Sequence, residues 1–203
     1  MAFTERSEAT RTAILAAARR YLADTGYEGT TIRAVASAAG VDPSMVIRYY
    51  DSKAGLFRAA VDVDLGLADL ASHPADQLGE ALARHFIARW EGDLADEAIG
   101  LLLRSAATNA AAAERVLAIF TDQVSSLAGR VTGNADDVAR RAAMVSAHVL
   151  GIAFARFVVE LPPMAAMEPE TLIATLGPVL QHYLTGDLAG RVHDHGSVRE
   201  EAR

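Results

Sequence analysis

No segment narrows the folds open to this chain more than residues 30–57, TTIRAVASAAGVDPSMVIRYYDSKAGLF. Thr30 or Thr31 can cap a helix in which Ile32, Val35, Ala36 and Ala39 recur at i, i+3, i+4 and i+7, forming one apolar face. Gly40 follows as a residue able to take left-handed backbone at a helix end. Asp42 is a good N-cap and Pro43 a good first helical residue. The spacing therefore predicts two short helices around a tight Ala39-Gly40-Val41 turn, the second running from Pro43 to about Tyr50, with Ser52 capping a further helix. This is the layout of a helix-turn-helix, which lays its second helix in the DNA major groove.

The remainder reads as helix almost throughout, rich in Ala, Leu and Arg, with no alternating strand segment and no internal repeat. A first helix is predicted over about 7–25, where Ile14, Leu15, Ala18 and Leu22 share a face and Gly26 stops the run. The helix opened by Ser52 is expected to continue to about Leu70, and His73-Pro74 marks a break. Further helices are predicted near 75–91, 94–107, 111–130 and 135–160. Pro162-Pro163 ends the last of these, and a final helix runs from Glu168-Pro169-Glu170 to about Leu184. The expected fold is all-α, with about nine helices. A reading domain spans 1–58, a second domain 59–185, and a polar, Gly-interrupted tail 186–203.

Composition excludes several classes. There is no cysteine, so disulfides and thiolate zinc sites are absent, which fits a reducing cytoplasm. The N-terminus lacks an apolar signal core, and nowhere do eighteen uncharged apolar residues run together, so no membrane partner is expected. A net charge of -7 looks wrong for a DNA binder, but the distribution is uneven. Residues 1–58 carry eight Lys/Arg against six Asp/Glu, whereas residues 59–203 carry eleven against twenty.

With caps, turn and spacing in view, the N-terminal quarter resembles the TetR family of transcriptional regulators. AAGVDPSMVIRYYDSKAGLF carries the family's aromatic-x-Ser-Lys-x-x-Leu-Phe signature as Tyr50, Ser52, Lys53, Leu56 and Phe57. The resemblance implies a double-stranded DNA operator read by the second helix of the motif. Pro43, Ser44 and Met45 start that helix, where side chains meet base edges. Ser44 can hydrogen-bond a base or a phosphate, and Met45 can touch a thymine methyl. Arg48, a turn on, can reach guanine or phosphate, and Tyr49 can offer its hydroxyl to a phosphate. Thr31 and the first amides of its helix suit phosphate, and Lys53 suits a backbone clamp. Ile47 departs from the Tyr or His common in the family and offers no phosphate donor, and Tyr50 replaces the usual Phe as a core residue.

The same resemblance implies an effector pocket and a homodimer in the C-terminal part. Phe86, Trp90, Leu102, Leu103, Ala106, Phe120, Val124 and Ile152 are the pocket candidates, with His148 as a polar contact. Such a lining suits a small hydrophobic or aromatic molecule. Residues 135–160 carry two apolar stripes: Val138, Ala142, Val145, Val149 and Ile152 on one, Met144, Ala147, Leu150, Phe154 and Phe157 on the other. A helix with two apolar faces must bury both, one against a partner subunit. Val138, Ala142, Val145 and Val149, with Leu172, Leu176, Val179 and Tyr183 of the last helix, are assigned to a four-helix dimer interface. Arg141 and Arg156 need partners, either Glu160 or Asp137 across the interface or water.

No phosphate-binding loop, nucleotide fingerprint, nucleophile elbow or paired-His motif occurs, so no enzyme, cofactor or metal is expected. His193-Asp194-His195 lies in the polar tail without further ligands of fixed geometry, and Asp136-Asp137 suits the acidic first turn of a helix. Two readings remain: a ligand-responsive repressor, or a helical small-molecule-binding or interaction protein that no longer reads DNA.

Overall fold

The computed structural model describes residues 2–91 and 97–188 of the chain. Its described residues form an all-helical fold. The sequence-predicted tail lies mostly outside them, as does His193-Asp194-His195. Helix α1 (Ala2–Gly29) is interrupted at Gly26, whose φ of 67° is left-handed backbone, so the expected stop is a kink followed by a short extra turn. Then come α2 (Ile32–Ala38), α3 (Pro43–Tyr50) and α4 (Lys53–Ala60). The second half holds α5 (Leu78–Glu91), α6 (Glu97–Ser105), α7 (Ala110–Ile119), α8 (Ser125–Gly129), α9 (Ala135–Ala153), α10 (Pro162–Ala165) and α11 (Pro169–Thr185). Two wider, π-type turns extend this set. Phe120–Val124 joins α7 to α8, and Phe154–Val158 prolongs α9.

The helix after Ser52 does not reach Leu70. It ends at Ala60, and the chain runs without regular structure through Val61–Gly66 before short 3-10 turns at Leu67–Ser72 and Ala75–Gln77. The reason is local. In Val61-Asp62-Val63-Asp64, two buried β-branched residues alternate with two exposed carboxylates, a period of two that a helix cannot serve. Gly66, at φ 68°, then turns the chain.

Two hydrophobic cores result. The first joins Ile14, Ala18, Leu22, Val35, Val46, Leu56 and Phe57 of the N-terminal helices to Ala98, Leu101 and Leu102 of α6 and Ala112 and Ile119 of α7. The reading head is thus packed directly on the second half of the chain. The second core lies between α5, α8, α9 and α11 around Leu82, Phe86, Leu127, Val145, Leu172, Leu176 and Leu180. Gly79 on α5 permits the close approach of α11: a Cβ there would strike the backbone at Gly177 and Gln181.

Helix α9 with its π turn, 135–158, is long and apolar enough by length and composition to cross a membrane. In this fold its Ala142, Val145 and Ala153 are core residues, and it carries two inward-held arginines. Both find partners within the subunit. Arg141 pairs with Asp137 at 2.8 Å and donates to the carbonyls of Tyr183, Leu184 and Gly186, closing the C-terminal end of α11. These are the carbonyls a helix end leaves without partners. Arg156, 6% exposed, pairs with Glu91 at 2.7 Å and donates to the carbonyls of Met164 and Met167, pinning the 159–168 connection to α5. Glu160 is not its partner.

A buried charge stripped of its partner is costly, of the order of 3–5 kcal/mol. Arg156→Ala, which leaves Glu91 unpaired and two carbonyls unbonded, is expected to lower stability by about 3 kcal/mol, and chemical denaturation measures the loss.

Candidate nucleic-acid interface and effector cavity

The motif is assembled by side-chain caps at three successive helix starts. Thr31 accepts from the amide of Ala34 at 3.2 Å, Asp42 from that of Ser44 at 2.8 Å, and Ser52 from that of Gly55 at 3.0 Å. The Ser44 hydrogen bonds hold the Asp42 carboxyl below its ordinary value. Gly40, at φ 66°, makes the turn, and the amide of Val41 bonds back to the carbonyl of Ala36 at 3.0 Å. Gly55 stands at an open position of the Ser-Lys-x-x-Leu-Phe signature. Its α-carbon lies so close to the Tyr50 carbonyl that a Cβ would collide with that backbone oxygen, so α4 crosses α3 only with glycine here.

Helix α3 buries Val46 and Tyr50 and turns Pro43, Ser44, Ile47 and Arg48 outward. Spacings of one, four and five residues put these four on one face. Met45 is half-buried and lies at its edge. Ile47 is 44% exposed, an apolar side chain in the middle of a polar face. Arg48 lies over the Tyr49 ring, 5.3 Å from its centroid. The Tyr49 hydroxyl is 3.0 Å from that of Ser7 on α1, and this bond, with Arg48 and Arg11 nearby, holds the phenol below its usual value. Tyr50 is core, its hydroxyl donating to the carbonyl of Arg11, and burial pushes its phenol up. Lys53 donates to the carbonyl of Glu28 and sits over the Tyr27 ring at 4.5 Å. Its ammonium is thus held beside the start of α2, where Thr31 is exposed.

A second site lies below the head. Leu65, Leu82, Phe86, Trp90, Leu102, Leu103, Phe120 and Val124, among others, wall a cavity of about 130 Å³. Six of the sequence candidates are on this wall: Phe86, Trp90, Leu102, Leu103, Phe120 and Val124. Three are not. Ala106 packs against the first core, Ile152 against the second, and the His148 ring meets Tyr183 at 5.6 Å on the seam of α9 and α11. The polar groups on the wall are instead His85, Arg89 and Ser146. Their signal in the sequence is helical spacing: 85 and 89 lie one turn apart, flanking Phe86 and Trp90.

The dimer assignment also changes. Val145 and Val149 wall the cavity, and Ala142, Leu172 and Leu176 are buried inside the subunit, so none of these five faces outward. Val138, Val179 and Tyr183 are half-buried. The other stripe turns outward along most of its length: Met144, Ala147, Leu150 and Phe154 are exposed, although Leu150 also lines the cavity and Phe157 stacks inward on Trp90 at 4.5 Å. Both stripes are apolar, so periodicity alone does not tell which one faces the subunit's own core.

Comparison with known proteins decides the family. Residues 14–60 match the profile of bacterial regulatory proteins of the tetR family, and residues 76–184 match the tetracyclin repressor-like C-terminal domain. The chain belongs to the TetR family. A TetR-family regulator from Streptomyces coelicolor is 27% identical, with a TM-score of 0.57 over 87% of this chain and 95% of that one. A transcriptional regulator from Rhodococcus is 24% identical, with a TM-score of 0.63 over 86% and 95%. SmeT, solved in complex with triclosan, is 22% identical and shares the fold at a TM-score of 0.64 over 96% and 99%. A search of curated proteins returns no match.

Gly55→Ala is expected to lower the melting temperature, at a cost of about 1–3 kcal/mol for an overpacked contact. The same variant should weaken DNA binding, because α3 and α4 can no longer seat together. Calorimetry alongside a DNA-binding titration tests both effects.

Proposed function

We propose that this TetR-family protein is a ligand-responsive repressor. Residues 1–58 read a pseudo-palindromic operator in the cytoplasm, and residues 59–185 bind a small hydrophobic effector and form a homodimer. The observation that carries the reading is the outward face of α3, Pro43, Ser44, Ile47 and Arg48, held rigidly beside two phosphate-binding candidates, Thr31 and Lys53. On DNA, Ser44, Met45 and Arg48 would meet base edges, whereas Thr31, Tyr49 and Lys53 would hold the backbone and fix register. Tyr49 would give its phosphate contact while keeping Ser7, since a hydroxyl both donates and accepts. A helical binding protein that had lost DNA reading would have no need of this exposed, capped face.

Dimerisation is the second element of the proposal. Met144, Ala147, Leu150 and Phe154 form an apolar row along α9 that water does not favour. Packing it against the same row of a second copy about a two-fold axis buries both faces at once. The half-exposed sides of Val179 and Tyr183 on α11 complete a four-helix contact.

Release follows from the connection between head and cavity. The Val61–Gly66 strap leads from α4 to the cavity wall, where Leu65 and Leu67 line the space. An effector that binds the off-DNA arrangement better shifts the equilibrium by that difference in affinity, typically about 1–3 kcal/mol.

Arg48→Ala or Lys53→Ala is expected to cost about 1–3 kcal/mol of operator affinity at matched salt without loss of helicity. Wild-type affinity should also fall steeply with salt. A flat salt response would remove the DNA-reading proposal. Met144→Glu, at a position 41% exposed and off the cavity wall, is expected to give monomers in sedimentation at micromolar concentration, with the helical content unchanged.

A further inference from the structure

Helix α3 turns two rows outward. Pro43 and Ile47, four residues apart, form an apolar row, and Ser44 and Arg48 form a polar row beside it. Ile47 is the only large apolar side chain exposed among residues 7–60. A lone exposed isoleucine is ordinary on a protein surface, but this one stands mid-way along the helix that a helix-turn-helix lays in the major groove. Its direction is fixed from behind. Val46 and Tyr50 are buried, the Tyr50 hydroxyl donates to the carbonyl of Arg11, and Asp42 caps the first turn. A β-branched side chain in a helix has one strongly preferred rotamer, so its methyl groups are aimed before DNA arrives. Arg48 is drawn over the Tyr49 ring and leaves Ile47 uncovered. The apolar row has nothing to give a phosphate. Pro43 lacks an N–H, Ile47 has neither donor nor charge, and Asp51, the next residue after the helix, is an exposed carboxylate that repels phosphate.

We propose that Ile47 is a specificity-determining residue that reads the C5 methyl group of a thymine in each half of the operator. This inference rests on the DNA-reading proposal above. The thymine methyl is the feature of the major groove that an aliphatic side chain can recognise, the others being hydrogen-bond donors and acceptors. Contact removes both apolar groups from water, which favours the complex. Discrimination also comes from what the wrong base would suffer. Cytosine presents its amino group in the major groove, and an isoleucine laid against it cannot accept that hydrogen bond, so the donor would be stripped of water without a partner. The two rows of α3 thus divide the work: Ser44 and Arg48 bond polar base edges, and Ile47 selects for a methyl.

The test uses the full chain and a duplex that the wild-type protein selects from a random pool. Each thymine of one half-site, with its mate in the other, is replaced in turn by deoxyuridine, which removes the C5 methyl and nothing else. Affinity is read by fluorescence anisotropy. One symmetric pair of positions is expected at which deoxyuridine weakens binding about fourfold per half-site, the worth of one buried methyl group. Ile47→Ala should bind the thymine and deoxyuridine duplexes equally at that pair, with an unchanged melting temperature because the side chain is already 44% exposed. Ile47→Val, which keeps the branch, should retain most of the preference. At the same pair, 5-methylcytosine should bind the wild type more tightly than cytosine, and Ile47→Ala should not distinguish them. A selected duplex indifferent to deoxyuridine at every thymine overturns the proposal. So does a deoxyuridine effect that persists in Ile47→Ala, or one that Met45→Ala removes in its place. These results leave the DNA-reading proposal standing, whereas a wild-type protein that selects no duplex would overturn both.

Discussion

The arrangement of this protein depends on how six residues without regular structure are held. Val61–Gly66 satisfies only part of its backbone locally, so side chains from the second half of the chain supply the rest. Arg115 donates to the carbonyl of Val63 and pairs with Asp62 at 2.9 Å, Gln123 accepts from the amide of Leu65 at 2.9 Å, and Arg89 and His85 take the carbonyls of Asp64 and Leu65. Backbone groups demand partners, and here they are side chains on the cavity wall or next to it, two from α5, one from α7 and one from the Phe120–Val124 turn. Above the strap, Arg19 of α1 donates to the carbonyl of Ala60, tying the end of α4 to the reading head. Head, strap and cavity are thereby one hydrogen-bonded series.

The same feature explains why the head and the second half share a core. With α4 ending at Ala60, the N-terminal helices rest on α6 and α7 rather than standing on a long stalk. The π-type turn at Phe120–Val124 places Phe120 and Val124 on the cavity wall and Gln123 on the strap. Such turns cost hydrogen-bond geometry and are frequent at functional positions. A change in the cavity therefore has a physical route to the operator-reading face.

What the sequence made legible follows from where local chemistry decides. Residues 30–57 were readable because caps, a left-handed glycine and Pro43 act within a few residues of one another, and Thr31, Asp42 and Ser52 cap as expected. Tyr50 was correctly placed in the core. The strap is hard to read from the sequence, since strong helix formers on both sides outweigh the period-two signal of Val61 and Val63. Which face of α9 turns inward is also not legible in the pattern. Each stripe is apolar, and only the packing of α5 and α11 shows that Ala142, Val145 and Val149 turn inward. Nothing local marks His85 and Arg89 as strap partners, because the carbonyls they meet lie twenty and twenty-five residues away in the chain.

The claim that the strap couples cavity to reading head is tested most directly by loosening it far from DNA. Arg115→Met and Gln123→Ala each remove a strap bond and touch neither α3 nor Lys53. Operator affinity of the full-length variants can be measured by fluorescence anisotropy on a duplex selected from a random pool by the wild-type protein. The account predicts that each variant binds about threefold to thirtyfold more weakly, the range of coupling residues outside a binding site, with helicity unchanged. Affinity equal to wild type in both variants would contradict it.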